Sequence, residues 1–250
     1  MKEYVRLIKG EMYKMRHTML LFIHAAIPAA GIFMFVGYYK ISAYGSADEW
    51  TLYIQAVAIA LPTVIGIICA MSISLEEQNH FQVFYGTAVR KIHAFLAKWG
   101  ALSFLCFWSV GLAVLGFALC QRIILLNVPD FPMYAESGFV LWLGAVFLYP
   151  IHLFISLKWS GNISMCMGVL GSLLSAVMQT GLGDGVWQFF LCSFGGRHCR
   201  YLLLYRLGYE EHLKAVYPLR DISVNAAVAV IVCVIICLWF CRQEGRQIND

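Results

Sequence analysis

Residues 51–73 read TLYIQAVAIALPTVIGIICAMSI, and they lead directly into residues 74–98, which read SLEEQNHFQVFYGTAVRKIHAFLAK. The first stretch contains no charged residue, and it is long enough for a helix to cross a bilayer core, which takes about 20 mainly apolar residues. The second stretch is polar at its start and leads into another apolar run. Long apolar runs separated by short charged segments predict an all-α integral membrane protein.

The rest of the chain repeats this pattern. Hydrophobic residues make up 61% of the 250 residues and charged residues only 13%, well below the roughly 25% of a soluble domain. We therefore predict six transmembrane helices. Their approximate positions are 18–38, 51–73, 99–119, 138–157, 162–180 and 222–241. The fifth span is short and rich in glycine and serine, so we predict that it lies inside the bundle, where small residues let helices approach closely.

The distribution of lysine and arginine predicts the orientation. With the N-terminus in the cytoplasm, the cytoplasmic segments hold 11 of the 18 Lys and Arg residues, and most of the others fall in the long segment 181–221, where the charge rule is weaker. Both termini are therefore predicted to be cytoplasmic. The net charge of +4 is spread along the chain, which argues against a nucleic acid partner.

Residues 1–17 are predicted to form an N-terminal amphipathic interfacial helix, beginning near residue 3. Apolar residues recur at helical spacing and basic residues occupy the remaining positions, which is typical of a helix that contacts membrane lipid in the headgroup plane. The alternative is a loose basic tail that only sets the topology. The apolar positions are Tyr4, Leu7, Ile8, Met12 and Met15.

The polar segment 74–98 is a candidate docking segment for a soluble partner. Ser74 and Glu77 match a capping box that would start a helix, and Phe81 and Phe84 follow with i, i+3 spacing. An aromatic face with carboxylates at the helix N-terminus suits a groove on a partner protein. The alternative is a loop helix that rests on lipid headgroups.

Two histidines and one long segment are candidate contacts for a transported molecule. His24 and His152 lie inside predicted spans, where each either contacts the cargo or is a neutral side chain bonded to a neighbouring helix. Segment 181–221 contains Trp187, Phe189 and Phe190 and is too apolar for a soluble loop. We predict a helical hairpin that dips into the outer leaflet and could contact an amphiphilic peptide.

The nine cysteines do not indicate a metal site, because no C-x-x-C pair occurs. Cys233, Cys237 and Cys241 recur along one face of the last apolar helix, where cysteine packs as a small apolar residue. Cys192 and Cys199 lie together in the long segment, and the sequence leaves open whether they form a disulfide.

The order of these elements resembles the ABC-2 type permeases, and within them the lantibiotic (bacteriocin) immunity permease subunits. Those subunits carry a glutamate-rich start, then Phe-Gln, then basic residues and a lysine ahead of span three. This chain has Glu76-Glu77, Phe81-Gln82, Arg90-Lys91 and Lys98, and its stretch GLGDGVWQFF at 181–190 is also similar to theirs. Where that family often has Pro and Trp, this chain has Leu191-Cys192-Ser193.

The resemblance implies one ABC-2 type transmembrane domain over residues 1–250, like that of type V exporters, with 74–98 as a cytoplasmic coupling segment and 181–221 as an extracellular loop. Such a subunit sits in the bacterial cytoplasmic membrane and pairs with an identical or sister permease. Two copies of a separate cytoplasmic ABC ATPase bind ATP and Mg²⁺, and the complex clears an amphiphilic peptide from the membrane. The ATPase-coupling residues would be Glu76, Glu77, Phe81, Phe84, Arg90 and Lys91. The candidate substrate contacts are Trp187, Phe189, Phe190, His24 and His152.

The chain lacks the phosphate-loop motif G-x-x-x-x-G-K-[ST], so energy would come from a partner or a gradient, and we predict neither a cofactor in this chain nor an enzyme. Three alternatives remain: export of another hydrophobic compound, an intramembrane enzyme and an accessory membrane sensor. An intramembrane CAAX-type protease pattern fails, because Phe81 occupies the arginine position and Phe147 precedes His152 by five residues rather than four.

Overall fold

The computed structural model describes residues 2–42, 45–86, 91–209 and 219–242, and all the regular structure in these ranges is helical. Three single turns of 3₁₀ helix connect the seventh helix to the eighth; they are Gly181–Gly183, Trp187–Phe189 and Leu191–Ser193. The helices are α1 (Lys2–Arg16), α2 (Met19–Ile41), α3 (Ser46–Glu77), α4 (Gln82–Gly86), α5 (Lys91–Ile123), α6 (Phe131–Lys158), α7 (Gly161–Met178), α8 (Phe194–Arg206) and α9 (Leu219–Arg242).

Six of these helices, α2, α3, α5, α6, α7 and α9, are long and apolar enough to cross a membrane, which confirms the prediction of a multi-pass membrane protein. Helices α3 and α5, with 32 and 33 residues, are longer than predicted. At 1.5 Å per residue each spans roughly 50 Å, more than the ~30 Å bilayer core. One end of the bundle carries α1 and α4 and the other carries α8; we call these the α1 end and the α8 end.

Helices α3, α5 and α6 form the centre of the bundle. At least half of the most apolar stretch of each is buried within the chain, against about a quarter for α2, α7 and α9. Tyr53 on α3 stacks on Phe117 of α5 with ring centroids 3.9 Å apart, and its hydroxyl donates a hydrogen bond of 2.9 Å to the carbonyl of Ala113. Nearby, the buried Glu49 carboxylate accepts hydrogen bonds from Gln121 (2.6 Å) and Asn127 (3.0 Å), which ties the start of α3 to the end of α5.

Helix α7 packs closely against α3 through glycines. A β-carbon placed on Gly168 would lie 2.7 Å from the Pro62 carbonyl oxygen, and one on Gly66 would lie 2.7 Å from the Ser164 carbonyl oxygen. Beside this crossing, the Thr63 backbone amide donates a hydrogen bond of 3.1 Å to the Ser172 hydroxyl. The neighbouring helix thus satisfies a backbone donor next to a proline, as hydrocarbon surroundings require.

The prediction that the fifth span lies inside the bundle is wrong, although the close approach expected of its small residues is present. Only 22% of the apolar stretch of α7 is buried. The small residues occupy one face of the helix, while the opposite face carries exposed side chains such as Leu170 and Leu173. Helix α7 is therefore a peripheral helix with one tightly packed side.

All nine cysteines lie within the described residues and are free thiols, so Cys192 and Cys199 do not form a disulfide in this structure. Cys199 is buried, and its thiol points to the carbonyl of Ser137 at 3.7 Å.

Replacing Gly168 with alanine tests the α3–α7 contact. The new methyl group would collide with the Pro62 carbonyl, so we expect a loss of about 1–3 kcal/mol of stability, typical of overpacking. Gly111→Ala is the matched control, because a β-carbon there meets no atom within 4 Å and alanine favours helix. Unfolding of the two variants by denaturing detergent would be compared; equal stability would contradict a close crossing.

Candidate functional site

A cavity of about 270 Å³ lies halfway along the bundle, in the cleft between α7 and α9, two helices that pack hardly at all against each other within the described residues. Its walls come from α3, α6, α7, α9 and the segment that leads into α8. The walls are apolar except for one histidine ring and one thiol. The lining residues are Pro62, Leu148, Ile151, His152, Ile155, Met167, Gly171, Phe189, Phe190, Leu191, Cys192, Val228 and Val232.

His152 is the polar landmark of this cavity, and its ring orientation is held by a hydrogen bond. The side chain is buried, and Nδ1 lies 3.1 Å from the hydroxyl of Ser164 on α7. The Ser164 hydroxyl in turn lies 3.4 Å from the carbonyl of Gly66 on α3. The histidine thus links three helices, which is the bonded arrangement predicted as one of two interpretations of this residue.

The segment between α7 and α8 re-enters the bundle. At the start of α8, Phe194 and Gly195 lie directly against Gly144 near the middle of α6. Gly195 also approaches Leu141 of α6 and Ala58 of α3, about a dozen residues from where α3 begins. A β-carbon on Gly144 would lie 3.0 Å from the Phe194 ring. Small residues on both sides therefore allow this segment to reach the depth of the cavity.

Arg197 anchors the re-entrant segment from within. Its guanidinium is buried, and it donates hydrogen bonds to the carbonyls of Met178 and Thr180 and to the carboxylate of Asp184, the last two at 2.7 Å. These carbonyls lie at and just beyond the end of α7, where the helix dipole favours a cation. A β-carbon on Gly183 would clash with both the Met178 carbonyl and the guanidinium, so only glycine fits there.

The predicted substrate contacts are only partly brought together. Phe189, which is 59% exposed, Phe190 and His152 all line the cavity. Trp187 is buried and does not line the cavity; its ring lies edge-on to His198, with 5.6 Å between the ring centroids. His24 lies on α2, and its Nδ1 is 2.7 Å from the carbonyl of Leu20 in its own helix, so it takes no part in this cavity.

The α1 end contains a cluster of four charged side chains, three buried and one partly exposed, which we call the ion cluster: Glu11, Glu76 and Lys98 are buried, and Lys14 is 27% exposed. The Lys98 ammonium, 2% exposed, lies 2.6 Å from Glu11 and 2.8 Å from Glu76. Lys14 lies 2.6 Å from Glu11 and 2.9 Å from Glu76. Two carboxylates and two ammonium groups balance, so α1, α3 and α5 meet around a neutral arrangement.

Charge pairing stabilises this cluster in apolar surroundings. Burial disfavours the charged form of Lys14, but the adjacent Glu11 and Glu76 carboxylates outweigh it and raise the pKa of Lys14. Lys98 also lies 5.4 Å from the centre of the Phe84 ring, a cation–π contact. The three buried charges of the cluster are therefore stabilised by pairing rather than by contact with water, and the partly exposed Lys14 lies at its edge.

Helix α1 confirms the predicted N-terminal helix, and it packs on the bundle as well as presenting a basic face. Met15 is buried, Ile8 and Met12 contact the core, and the Tyr4 hydroxyl donates a 2.9 Å hydrogen bond to the carbonyl of Leu96. The role of Glu11 was missed. The signal was present, since Glu11 is an acidic residue within the apolar stripe of a mainly basic helix.

The capping box predicted at Ser74 is wrong, because Ser74 lies inside α3, which continues to Glu77. The chain turns at His80 and Phe81, both with positive φ, and α4 follows. Phe81 and Phe84 are buried and do not form an exposed aromatic face; Phe84 packs on Phe240 of α9 with ring centroids 6.0 Å apart. The Phe84 ring is therefore covered by the chain's own last helix, and the Phe81 ring packs on Phe84.

The candidate coupling residues therefore fall into a buried group and an exposed group. Glu76 is buried in the ion cluster with its carboxylate turned inward, whereas Glu77 and Lys91 are exposed at the same end of the bundle. Arg90 lies outside the described residues. A partner approaching the α1 end would meet Glu77 and Lys91 before any of the buried side chains.

Comparison of the chain with protein-family models, with curated proteins and with solved structures gives no match.

Replacing Glu76 with glutamine tests the ion cluster. The variant leaves Lys14 and Lys98 with one carboxylate between them, so we expect a loss of about 3–5 kcal/mol, typical of breaking a buried ion pair. Glu77→Gln, at the next and exposed position, should change stability by no more than about 0.5 kcal/mol. Thermal unfolding and limited proteolysis of α1 would be measured; equal behaviour of both variants would contradict the cluster's role.

Proposed function

We propose that this protein is the permease subunit of an ABC transporter that moves an amphiphilic peptide out of the cytoplasmic membrane. A separate ATPase subunit, in two copies, would supply ATP hydrolysis, and a second permease, identical or related, would complete the membrane unit. In this proposal the α1 end is cytoplasmic, the α8 end is extracellular, and the re-entrant segment is the outer hairpin of an ABC-2 type fold. The result would be immunity or resistance to the peptide.

The main support for the proposal is that a single helix, α3, connects the cavity with a surface at the α1 end that a partner could contact. Helix α3 ends in Glu76 and Glu77 at the α1 end, and its Pro62 forms part of the cavity wall. About 15 residues separate the two points, roughly 22 Å along the helix axis. A movement imposed on the end of α3 would thus be transmitted to the cavity wall.

The ion cluster supports this transmission because it makes the α1 end a single mechanical unit. Glu76 on α3 and Lys98 on α5 form a buried pair, and Glu11 on α1 is hydrogen-bonded to the same ammonium. Pushing on the exposed residues Glu77 or Lys91 would therefore move α1, α3 and α5 together. We infer that an ATPase bound at this end would act on the bundle through these three helices.

The lining of the cavity suits an amphiphilic cargo. It accepts an apolar group from the side, between α7 and α9, and offers a histidine as one polar contact. Its roof is formed by Phe189 and Phe190 of the re-entrant segment, which would be the first surface met by a molecule entering from the outer leaflet. Another hydrophobic compound would be exported by the same route. Transport assays with amphiphilic peptides and with other hydrophobic compounds would show which class is the cargo.

Charge reversal at Glu77 tests the partner surface. Affinity-tagged protein would be extracted from native membranes in mild detergent and the bound proteins identified by mass spectrometry. We expect an ABC ATPase to co-purify, and Glu77→Lys to lower its recovery about tenfold, since like charges at an interface are repelled. Asp48→Lys, at the opposite end of the same helix and also exposed, is the matched control. Absence of any ATPase with the unaltered protein would refute the proposal.

Truncation of the cavity roof tests the route of entry. The double variant Phe189→Ala, Phe190→Ala should abolish peptide-stimulated ATP hydrolysis in the reconstituted complex while leaving basal hydrolysis unchanged, because it removes cargo contact and spares the ion cluster. Leu182→Ala, an exposed side chain in the same segment that does not line the cavity, should retain stimulation. Normal stimulation in the double variant would exclude this entry route.

A further inference from the structure

A second groove lies on the outside of the bundle between α2 and α5, toward the α8 end. Its volume is about 450 Å³, and its wall is apolar except for one charged side chain, Lys40. Gly37 leaves open space in the wall, since a β-carbon there would meet no atom within 4 Å. The lining residues are Ala29, Ile32, Phe33, Val36, Gly37, Lys40, Cys120 and Ile124.

The floor of the groove is closed by tight packing. A β-carbon on Gly116 of α5 would lie 2.8 Å from Cδ1 of Ile32, so the two helices touch at this point. Phe33 stands at the edge of the groove with 84% of its side chain exposed. The groove is therefore a surface channel that is open to lipid and closed toward the core.

The length of the groove matches one leaflet of a bilayer. From Ala29 to Lys40 the α2 axis advances about 16 Å, roughly half of the ~30 Å hydrocarbon core. Lys40 lies in the last turn of α2, so the charge marks the headgroup level and the apolar wall extends from there to the bilayer centre. An elongated apolar group with one polar end at the membrane surface fits this arrangement.

The charge at the mouth selects among such molecules. Lys40 is exposed and makes no ion pair within the described part of the chain. Its ammonium would attract the phosphate of a lipid whose headgroup carries a net negative charge, and it would repel a cationic peptide. A phospholipid supplies both the acyl chain and the anion, and it is present at this depth in every membrane.

We propose that this groove binds an anionic phospholipid of the leaflet at the α8 end, with an acyl chain along Gly37 and the phosphate on Lys40. The inference depends on the groove and the lysine and holds whether or not the protein is a transporter. It makes this lipid a bound component that stays with α2 and α5, rather than one that exchanges freely with the surrounding bilayer.

The groove contains its own reporter, Cys120. Purified protein would be placed in nanodiscs of phosphatidylcholine alone, or of equal parts phosphatidylcholine and phosphatidylglycerol, and treated with a membrane-soluble maleimide. Labelling of each cysteine would be measured by peptide mass spectrometry. We expect phosphatidylglycerol to protect Cys120 at least severalfold, while Cys166, exposed on α7 and outside the groove, labels equally in both.

Two variants test separately the contribution of the Lys40 charge and that of the open groove. Lys40→Gln should weaken protection of Cys120 about fivefold, the loss expected for one lysine at a membrane surface. Gly37→Leu, which fills the groove, should weaken retention of phosphatidylglycerol in native mass spectrometry, whereas Arg122→Gln and Gly111→Leu, matched changes that do not line the groove, should not. Retention of phosphatidylglycerol is measured because the new leucine itself could shield Cys120.

Three results would overturn the proposal. Equal protection by the two lipid compositions would show ordinary annular lipid. Unchanged retention in both groove variants would show that the lipid binds elsewhere. Cross-linking of two copies of the Phe33→Cys variant, insensitive to phosphatidylglycerol, would show that the groove is covered by a second copy of the chain.

Discussion

A lysine ammonium held in apolar surroundings sets the arrangement of one whole end of this molecule. Lys98 has almost no access to water, so its charge requires carboxylates within bonding distance, and α1 and α3 each contribute one. Their approach brings α1 against the bundle, extends α3 beyond the bilayer core and turns the chain into α4. The positions of Phe84 and of α9 follow, because the ring packs between the ammonium and Phe240.

The spans and α1 could be predicted from the sequence because both depend on local pattern: apolar length for the spans and helical periodicity for α1. The capping-box prediction at Ser74 was wrong because a serine followed by glutamates is also compatible with a continuing helix. The pairing of Glu76 with Lys98 favours continuation of α3. The prediction that α7 lies inside the bundle was wrong because small residues indicate close packing on one face of a helix but do not indicate what the opposite face contacts. Composition alone does not distinguish the two faces.

The cavity could not be predicted because its walls come from segments far apart in the chain. Phe189, Phe190 and His152 were each identified as candidates, but nothing local indicated that they meet at one cavity, or that Trp187, two residues from Phe189, does not line it. The path of this segment depends on the turn anchored by Arg197, two of whose partners are carbonyl groups. Backbone acceptors leave no trace in a sequence, whereas an acidic partner such as Asp184 does.

The ion cluster also constrains how the molecule is assembled. Glu11 and Lys14 leave the ribosome well before Lys98, which emerges only when the third span is being made. Until then α1 holds a carboxylate within its apolar stripe and has no site in which to bury it. Helix α1 must therefore wait at the lipid surface during synthesis and dock after α5 has inserted, so a helix translated before α2 is among the later ones to reach its final position.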